Sequence, residues 1–207
     1  MKNYDESDYI KWVDELAEKD YVNIDNFLSE KDLQTLHQFF NSKLAANDLD
    51  KAGIGTLGLH TINTEVRGDY VYWINQHNDL ALNAIFRQTN TLIEKIKRYC
   101  FLSISDFECH LAFYPEKTFY KAHFDQFKER NNRILSFVLY LNKGWKKGDG
   151  GELIIHEKGA KTTIEPFENR LVLFKSASVL HEVSMTFKPR YSLTGWMLNN
   201  PVGLGFL

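Results

Sequence analysis

The feature that most constrains this chain's fold is a series of short apolar or alternating runs that fills its second half. Eight such runs follow one another, separated by turn residues such as Pro115, Gly144 and Pro189. Short strands with frequent turn signals are typical of antiparallel sandwiches and barrels. The pattern therefore predicts an antiparallel jelly roll, the double-stranded β-helix, over residues 106–198.

The first half of the chain has helical periodicity instead. Apolar residues recur on one helical face in three segments, 7–20, 29–47 and about 78–99. A short strand is expected between the first two, at "YVNIDNFL". Ser7 or Asp8 is predicted to cap the first helix, and Ser29 the second. We therefore expect one α+β domain over 1–207, in which residues 1–105 form mainly helical support against one outer face of the jelly roll.

Composition and charge argue against several classes of protein. A net charge of −2 gives no electrostatic reason to expect a nucleic-acid or anionic-membrane partner. No run approaches the ~20 apolar residues of a membrane span, and "MKNYDESDYIKW" is charged where a signal peptide needs an apolar stretch. The two cysteines, Cys100 and Cys109, are too few for a disulfide framework or a thiolate metal site. We expect a soluble, cytoplasmic protein of unknown oligomeric state.

Two His-x-Asp pairs are the candidate metal ligands. In a strand, residues i and i+2 project from one face, so His123 and Asp125 of "YKAHFDQF" could bind one metal ion. The second pair, His77 and Asp79, precedes a predicted helix, and we assign Asp79 to capping that helix. A single pair of this kind also fits two hydrogen-bonded surface residues. Its companions elsewhere in the sequence decide between the two interpretations.

A further histidine and an arginine are those companions. In a jelly roll, strands that are distant in sequence become neighbours, so His181 can join His123 and Asp125. Two imidazoles and one carboxylate leave three coordination positions open, which is the ligand set of non-haem Fe(II) oxygenases. Arg190 follows His181 by nine residues, on a predicted strand where its guanidinium could pair with a carboxylate. The commoner role of a strand-end arginine, bridging a surface acid, does not explain that spacing.

The motifs in residues 107–197 resemble those of the iron- and 2-oxoglutarate-dependent prolyl hydroxylases. The matching segment is "FYPEKTFYKAHFD…RILSFVLYLNKGW…GGELIIH…IEPFENRLVLFKS…LHEV…RYSLTGW", and "RGDYVYWI" also fits a family pattern. The likeness is closest to the hypoxia-sensing type and its bacterial relatives. It implies Fe(II), 2-oxoglutarate and O2, with room for ascorbate as a reductant. The implied reaction hydroxylates an unactivated C–H bond, by analogy in a prolyl residue of a protein, and releases succinate and CO2.

The resemblance also implies roles for individual residues. Fe(II) would be bound by His123, Asp125 and His181. The C5 carboxylate of 2-oxoglutarate would pair with Arg190, assisted by Tyr140 and Thr194. Tyr114 would hydrogen-bond near the iron-chelating end of the cosubstrate. Three residues are assigned to the substrate side: Arg133, Trp196 and Tyr120.

Two segments depart from the family pattern, the spacer "EKTF" and the loop "QFKERNN". Both flank the expected substrate entrance, so the substrate is the property that the resemblance predicts least. Three alternatives stay open: a 2-oxoglutarate oxygenase acting on a free amino acid or other small molecule, a zinc hydrolase with the same ligands, and a non-catalytic jelly-roll binding module. The zinc hydrolase leaves Arg190 unexplained and lacks a positioned general base. Cys109 and His110 are expected to be core or edge residues of a strand.

Overall fold

Two antiparallel sheets form the frame of the molecule, and the computed structural model describes residues 2–53, 65–126 and 131–199. Within those ranges the strands are β1 Tyr21–Ile24, β2 Asp50–Lys51, β3 Tyr70–Trp73, β4 Asp106–Tyr114, β5 Tyr120–His123, β6 Arg133–Tyr140, β7 Leu153–Glu157, β8 Ala160–Ile164, β9 Leu171–Lys175, β10 Leu180–Val183 and β11 Arg190–Leu198. Seven of them form the major sheet, in the order β1-β9-β6-β11-β4-β3-β2. The other four form the minor sheet, in the order β5-β10-β7-β8.

The eight strands predicted in the second half are confirmed as β4 to β11, and the predicted fold class is confirmed with them. The major sheet also recruits three short strands from the first half of the chain. The sequence predicts β1 but neither β2 nor β3. The pairing of β3 with β4 extends over four residues only, which is too short for an alternating pattern to stand out.

The helices are α1 Glu6–Lys19, α2 Glu30–Ala45 and α3 Asn83–Cys100, with a 3₁₀ turn, Leu80–Leu82, before the last. Ser29 caps α2 as predicted, because its hydroxyl accepts the N–H of Asp32 at 3.2 Å. The predicted cap of α1 is wrong in position. The N-cap is Asp5, whose N–H donates to the carboxylate of Asp8 at 3.0 Å, and Ser7 lies inside the helix. None of these helices is both long and apolar enough to cross a bilayer.

The three helices cover the outer face of the major sheet, as expected. One continuous apolar cluster joins them to outward-facing sheet residues such as Leu111 and Phe137. Each fully buried side chain of this size contributes about 1.5–3 kcal/mol. The inner face of the major sheet packs against the minor sheet through a second cluster, which includes Val138 of β6 and Ile155 of β7. The candidate site lies on this inner face, between the two sheets.

Candidate active site

Three potential metal ligands converge beside the minor sheet. His123, the last residue of β5, is the direct cross-strand partner of His181 on β10, and their ring centroids are 4.3 Å apart. Oδ1 of Asp125 lies 3.4 Å from Nε2 of His123, and Oδ2 lies 3.7 Å from Nε2 of His181. One ligand atom from each residue lies within 4.8 Å of the others. The structure therefore brings together the three residues that the sequence predicts as metal ligands.

Backbone carbonyl groups orient both imidazoles. Nδ1 of His123 lies 2.8 Å from the carbonyl oxygen of Lys121, and Nδ1 of His181 lies 3.1 Å from that of Val179. Because a carbonyl oxygen can only accept, Nδ1 carries the proton in each ring and Nε2 presents its lone pair to the cluster. Burial also lowers the pKa of His181, which favours the neutral form that a metal ion requires.

The carboxylate of Asp125 completes the donor set. Burial raises the pKa of this carboxyl group, but attraction to His181 and His123 when their rings are protonated, together with a hydrogen bond from Ser136, outweighs burial and holds the pKa well below its usual range. The group is therefore a carboxylate near neutral pH. Two neutral imidazoles and one carboxylate suit Fe(II) and also Zn(II), and they leave coordination positions open.

The second His-x-Asp pair has a structural role, but the predicted helix cap is wrong. Asp79 stands at the N-terminus of the 3₁₀ turn without a capping hydrogen bond from its side chain. Its carboxylate turns back instead and accepts the hydroxyl of Tyr72 at 3.1 Å and the N–H of Asn75 at 2.9 Å. His77 is exposed. The hydroxyl of the half-buried Tyr72, seven residues earlier in the chain, competes successfully with the helix terminus for the carboxylate.

A buried guanidinium occupies another part of the inner face. Arg190 is 1% exposed, and its Cζ lies 4.9 Å from the ring centre of Tyr114 and 5.0 Å from that of Tyr140. Its Nε donates to the carbonyl oxygen of Gly151 at 2.8 Å. Gly151 has φ +66°, and a Cβ there would meet Cδ of Arg190 at 2.8 Å, so only glycine fits. No carboxylate of the described residues forms an ion pair with Arg190, although an unpaired buried charge is costly.

Neutral hydroxyl groups share this face with Arg190. Tyr140 is fully buried, and its hydroxyl has no hydrogen-bond partner among the described residues. Burial raises the pKa of Tyr140, with Arg190 opposing, and burial likewise raises the pKa of Tyr114. Thr194, four residues along β11, shares a 3.2 Å hydrogen bond with Ser192. A buried cation beside an unpaired hydroxyl donor fits an anionic ligand with several oxygens, such as a carboxylate.

Two of the residues assigned to the substrate side form one packed wall. The guanidinium of Arg133 lies 3.4 Å over the ring of Trp196. Its Nε and Nη2 both donate to Oε1 of Glu108, at 3.1 and 2.8 Å. Nη1 donates to the carbonyl oxygen of Asp125 at 3.4 Å. Arg133 therefore braces the segment that carries the candidate carboxylate ligand, in addition to lining the wall.

The third of these residues, Tyr120, links the metal ligands to an ion pair that sequence reasoning missed. Its ring stacks on that of His123, with centroids 3.7 Å apart. The guanidinium of Arg67 lies 4.4 Å from the Tyr120 ring centre and donates twice to the buried carboxylate of Asp69, at 2.7 and 2.5 Å. The i, i+2 spacing of Arg67 and Asp69 in "RGDYVYWI" could have indicated two charges on one face.

The predicted core placement of Cys109 and His110 is confirmed. Cys109 belongs to the outer apolar cluster, whereas His110 points to the inner face. The His110 ring packs between Trp73 and Trp196, with centroid distances of 4.9 and 5.4 Å. Burial is the main reason that the pKa of His110 falls to about 3, so this imidazole is neutral. His110 therefore adds a polar group to the wall formed by Arg133 and Trp196. Neither the spacing of His110 nor its neighbours in sequence predict this position.

The chain is similar to known oxygenases in sequence and in structure. The family model of the 2OG-Fe(II) oxygenase superfamily matches residues 109–198. A prolyl-4-hydroxylase from Pseudomonas putida shares 33% sequence identity over 93% of this chain and 99% of that chain, with a TM-score of 0.83. A prolyl hydroxylase from Trichoplax adhaerens, in complex with a peptide fragment of the hypoxia inducible factor oxygen degradation domain, shares 25% identity over 94% and 90%, with a TM-score of 0.85. The α-ketoglutarate-dependent epimerase SnoN shares the fold alone, at 12% identity over 98% and 89%, with a TM-score of 0.69.

Proposed function

The chain belongs to the prolyl hydroxylase family of 2OG-Fe(II) oxygenases, and we propose that it hydroxylates a prolyl residue within a peptide or protein. It is an enzyme that uses Fe(II), 2-oxoglutarate and O2. The observation that carries the proposed substrate is the 33% identity to the prolyl-4-hydroxylase of Pseudomonas putida, which extends over 93% of this chain. The peptide complex of the Trichoplax adhaerens relative supports a peptide rather than a free amino acid.

We assign the Fe(II) ligands to Nε2 of His123, Nε2 of His181 and one carboxylate oxygen of Asp125. The convergence of these atoms within 4.8 Å supports the assignment, as do the backbone carbonyls that hold both Nδ1 protons away from the cluster. When bound, Fe(II) and 2-oxoglutarate supply the O2 activation that hydroxylates a C–H bond and yields succinate and CO2. The protein presents three fixed ligand atoms and leaves the other positions to the cosubstrates.

We assign the C5 carboxylate of 2-oxoglutarate to Arg190. The supporting observation is that this buried guanidinium has no carboxylate partner among the described residues, while the nearby Tyr140 hydroxyl lacks a hydrogen-bond partner. A carboxylate would accept hydrogen bonds from both groups, and the cationic guanidinium and the neutral hydroxyl would together orient it. Tyr114 and Thr194, which line the same inner face, are assigned to supporting hydrogen bonds.

The surroundings of the two sites suit a reaction that must exclude water. Side chains of the inner apolar cluster, among them Val138 and Phe174, separate the site from bulk solvent on the closed side. The open side includes Phe124, which is 40% exposed between two of the metal ligands, and the partly exposed Tyr120. We keep Tyr120, with the wall formed by Arg133 and Trp196, as the substrate side. The loop "QFKERNN", expected beside it, has residues 127–130 outside the described ranges.

A peptide substrate is tested by comparing two kinds of prolyl compound. The purified protein would be incubated with Fe(II), 2-oxoglutarate, ascorbate and O2, together with a panel of proline-containing peptides or with free L-proline. We expect a mass gain of one oxygen atom on a prolyl residue of a peptide, matched by succinate, and neither product from His181→Ala. Turnover of free proline alone would contradict the proposal and favour the small-molecule alternative.

The same assay separates the enzyme from a binding module. If the wild-type protein bound no metal and formed neither succinate nor oxidised product, both the enzyme assignment and the proposed ligands would be contradicted.

The predicted cytoplasmic location is a separate proposal. Fractionation of cells that produce the protein checks it.

A further inference from the structure

The three candidate ligands are not held in the same way. The two histidines lie in strands, where β5 and β10 pair directly at His123 and His181. Asp125 lies two residues beyond the end of β5, outside the strand ladder. Because strand pairing does not hold this residue, the position of its carboxylate depends on hydrogen bonds from the groups packed around it.

Two buried serines of the major-sheet side supply those bonds. Ser136 is a residue of β6 with no exposed surface, and its Oγ donates to Oδ2 of Asp125 at 2.6 Å. Its Oγ also lies 2.8 Å from Oγ of Ser176, which is equally buried. A hydroxyl group has one proton, and Ser136 uses it on the carboxylate. Ser176 must therefore be the donor in the serine pair, and the two bonds form a chain that points at Asp125.

The backbone of Ser176 ties the same segment down from the other side. Its carbonyl oxygen accepts the N–H of Gln126 at 3.2 Å, and its own N–H donates to the carbonyl oxygen of Ile134 at 3.1 Å. Ser176 thus contacts both β6 and the residue that follows Asp125. The serine pair is built into the junction between the two sheets, and it is not a surface hydrogen bond that solvent could replace.

We propose that Ser136, with Ser176 behind it, is a positioning residue that makes Asp125 a one-oxygen metal ligand. The hydrogen bond engages Oδ2 and weakens it as a metal donor, and this favours Oδ1, which lies 3.4 Å from Nε2 of His123, as the atom that binds the metal. A one-oxygen carboxylate leaves one more coordination position open than a two-oxygen carboxylate does. This inference rests on the proposed metal ligands, and it adds the groups that set their coordination mode.

Binding of Co(II) tests the proposal without turnover. Co(II) would be titrated into the wild-type protein and four variants, without 2-oxoglutarate, and both the affinity and the visible d–d spectrum would be recorded. Loss of an outer hydrogen-bond partner typically costs about 10–100-fold in metal affinity, which is the expected loss for Ser136→Ala. We expect a changed d–d intensity in that variant, a smaller loss in Ser176→Ala and recovery in Ser136→Thr, which keeps the hydroxyl. Ser192→Ala is the matched control, because Ser192 is an equally buried serine whose hydroxyl, among the described residues, bonds to Thr194 and to no candidate metal ligand.

The outcomes separate this inference from the assignment beneath it. If the wild-type protein binds no Co(II), the proposed ligands and the serine chain are both wrong. If the wild-type protein binds Co(II) and Ser136→Ala keeps the same affinity and spectrum, the ligands stand and the serine chain is overturned. Thermal unfolding identifies any variant that does not fold. If Ser136→Ala does not fold, the comparison of Ser176→Ala with Ser192→Ala decides instead. Equal Co(II) affinity in those two variants overturns the proposal.

Discussion

The two sheets of this molecule divide the work of the site unequally. The major sheet has its outer face covered by three helices and carries the candidate cosubstrate residues, Arg190 among them, on its inner face. The minor sheet has four short strands and carries both histidines of the candidate metal site. Two of its strands, β5 and β8, are largely exposed. The larger sheet thus carries the candidate cosubstrate residues, and the smaller sheet carries two of the three candidate metal ligands.

The difference teaches that stability and metal binding should respond to different substitutions. The larger apolar cluster lies between the helices and the major sheet, on the opposite face of that sheet from the candidate metal ligands. Asp125 joins the two parts, since Ser136 of β6 donates to its carboxylate and Arg133 of β6 donates to its backbone carbonyl oxygen. Each prediction below tests whether the two properties can be changed separately.

The largest effect is expected for a minor-sheet ligand. His181→Ala removes a ligand atom, and because loss of an outer partner already costs about 10–100-fold, metal affinity should fall by more than about 100-fold. Co(II) titration and succinate formation measure this. His156→Ala is the control, since His156 is on the neighbouring strand β7 and pairs with Glu182 outside the cluster. An equal loss of metal affinity in the two variants would mean that any such substitution disturbs the minor sheet, whether or not it removes a ligand.

A truncation in the major sheet should have the opposite signature. Phe137→Ala removes a 3% exposed ring from the outer cluster and should lower the free energy of unfolding by about 3–5 kcal/mol. Urea unfolding measures this. The matching change in the minor sheet, Ile154→Ala, removes a partly buried side chain and should cost less. The Co(II) affinity of folded Phe137→Ala should equal that of the wild type. If Co(II) affinity fell together with stability, the two sheets would not have the separate roles described above.

Arg190→Ala should separate the cosubstrate from the metal. Removing the charged partner of a buried carboxylate costs several kcal/mol, so the 2-oxoglutarate concentration needed for half-maximal succinate formation should rise by about 100-fold. Co(II) affinity should stay within the error of the wild-type value. The exposed Arg98→Ala is the control for general effects of losing an arginine. Equal losses of metal and cosubstrate binding would assign Arg190 a structural role instead.

The smallest effect concerns a major-sheet histidine with no ligand role. The pKa of His110 falls from about 6.5 to about 3 on folding, so the unfolded chain binds this proton more readily. The stability from the neutral ring is complete above pH 6.5 and is lost progressively as the pH falls towards 3. Between pH 7 and pH 5 the loss should be about 2 kcal/mol. Urea unfolding should show a shallower pH dependence in His110→Gln, and an unchanged slope would mean that the ring is already protonated.

Much of this architecture could be predicted from the sequence because the signals are local. Alternating runs separated by Gly and Pro predicted all eight strands of the second half, and Ser29 predicted the start of α2. The three candidate ligands were predicted by combining a strand period with the assumption that distant strands become neighbours. The structure brings them together.

The remainder depends on tertiary contacts that spacing does not encode. Asp79 was expected at a helix cap, but the Tyr72 hydroxyl across the turn takes its carboxylate. The strand period places Ser136 on the same face as Tyr140, but nothing in the local sequence indicates that Ser136 reaches Asp125. The ion pair of Arg67 and Asp69 is connected to the candidate metal site by the contact of Arg67 with Tyr120. Tyr120 lies more than fifty residues further along the chain.

The pairing of β1 with β9 has a consequence for how the chain acquires its structure. Tyr21 is the register partner of Phe174, so the edge of the major sheet joins segments from near opposite ends of the sequence. Contacts of such long sequence separation slow folding, because a large loop must close before they form. During synthesis α1 and β1 leave the ribosome long before their partner strand exists. We therefore expect the amphipathic N-terminal segment to be the last to dock, and to be where a chaperone would bind the incomplete chain.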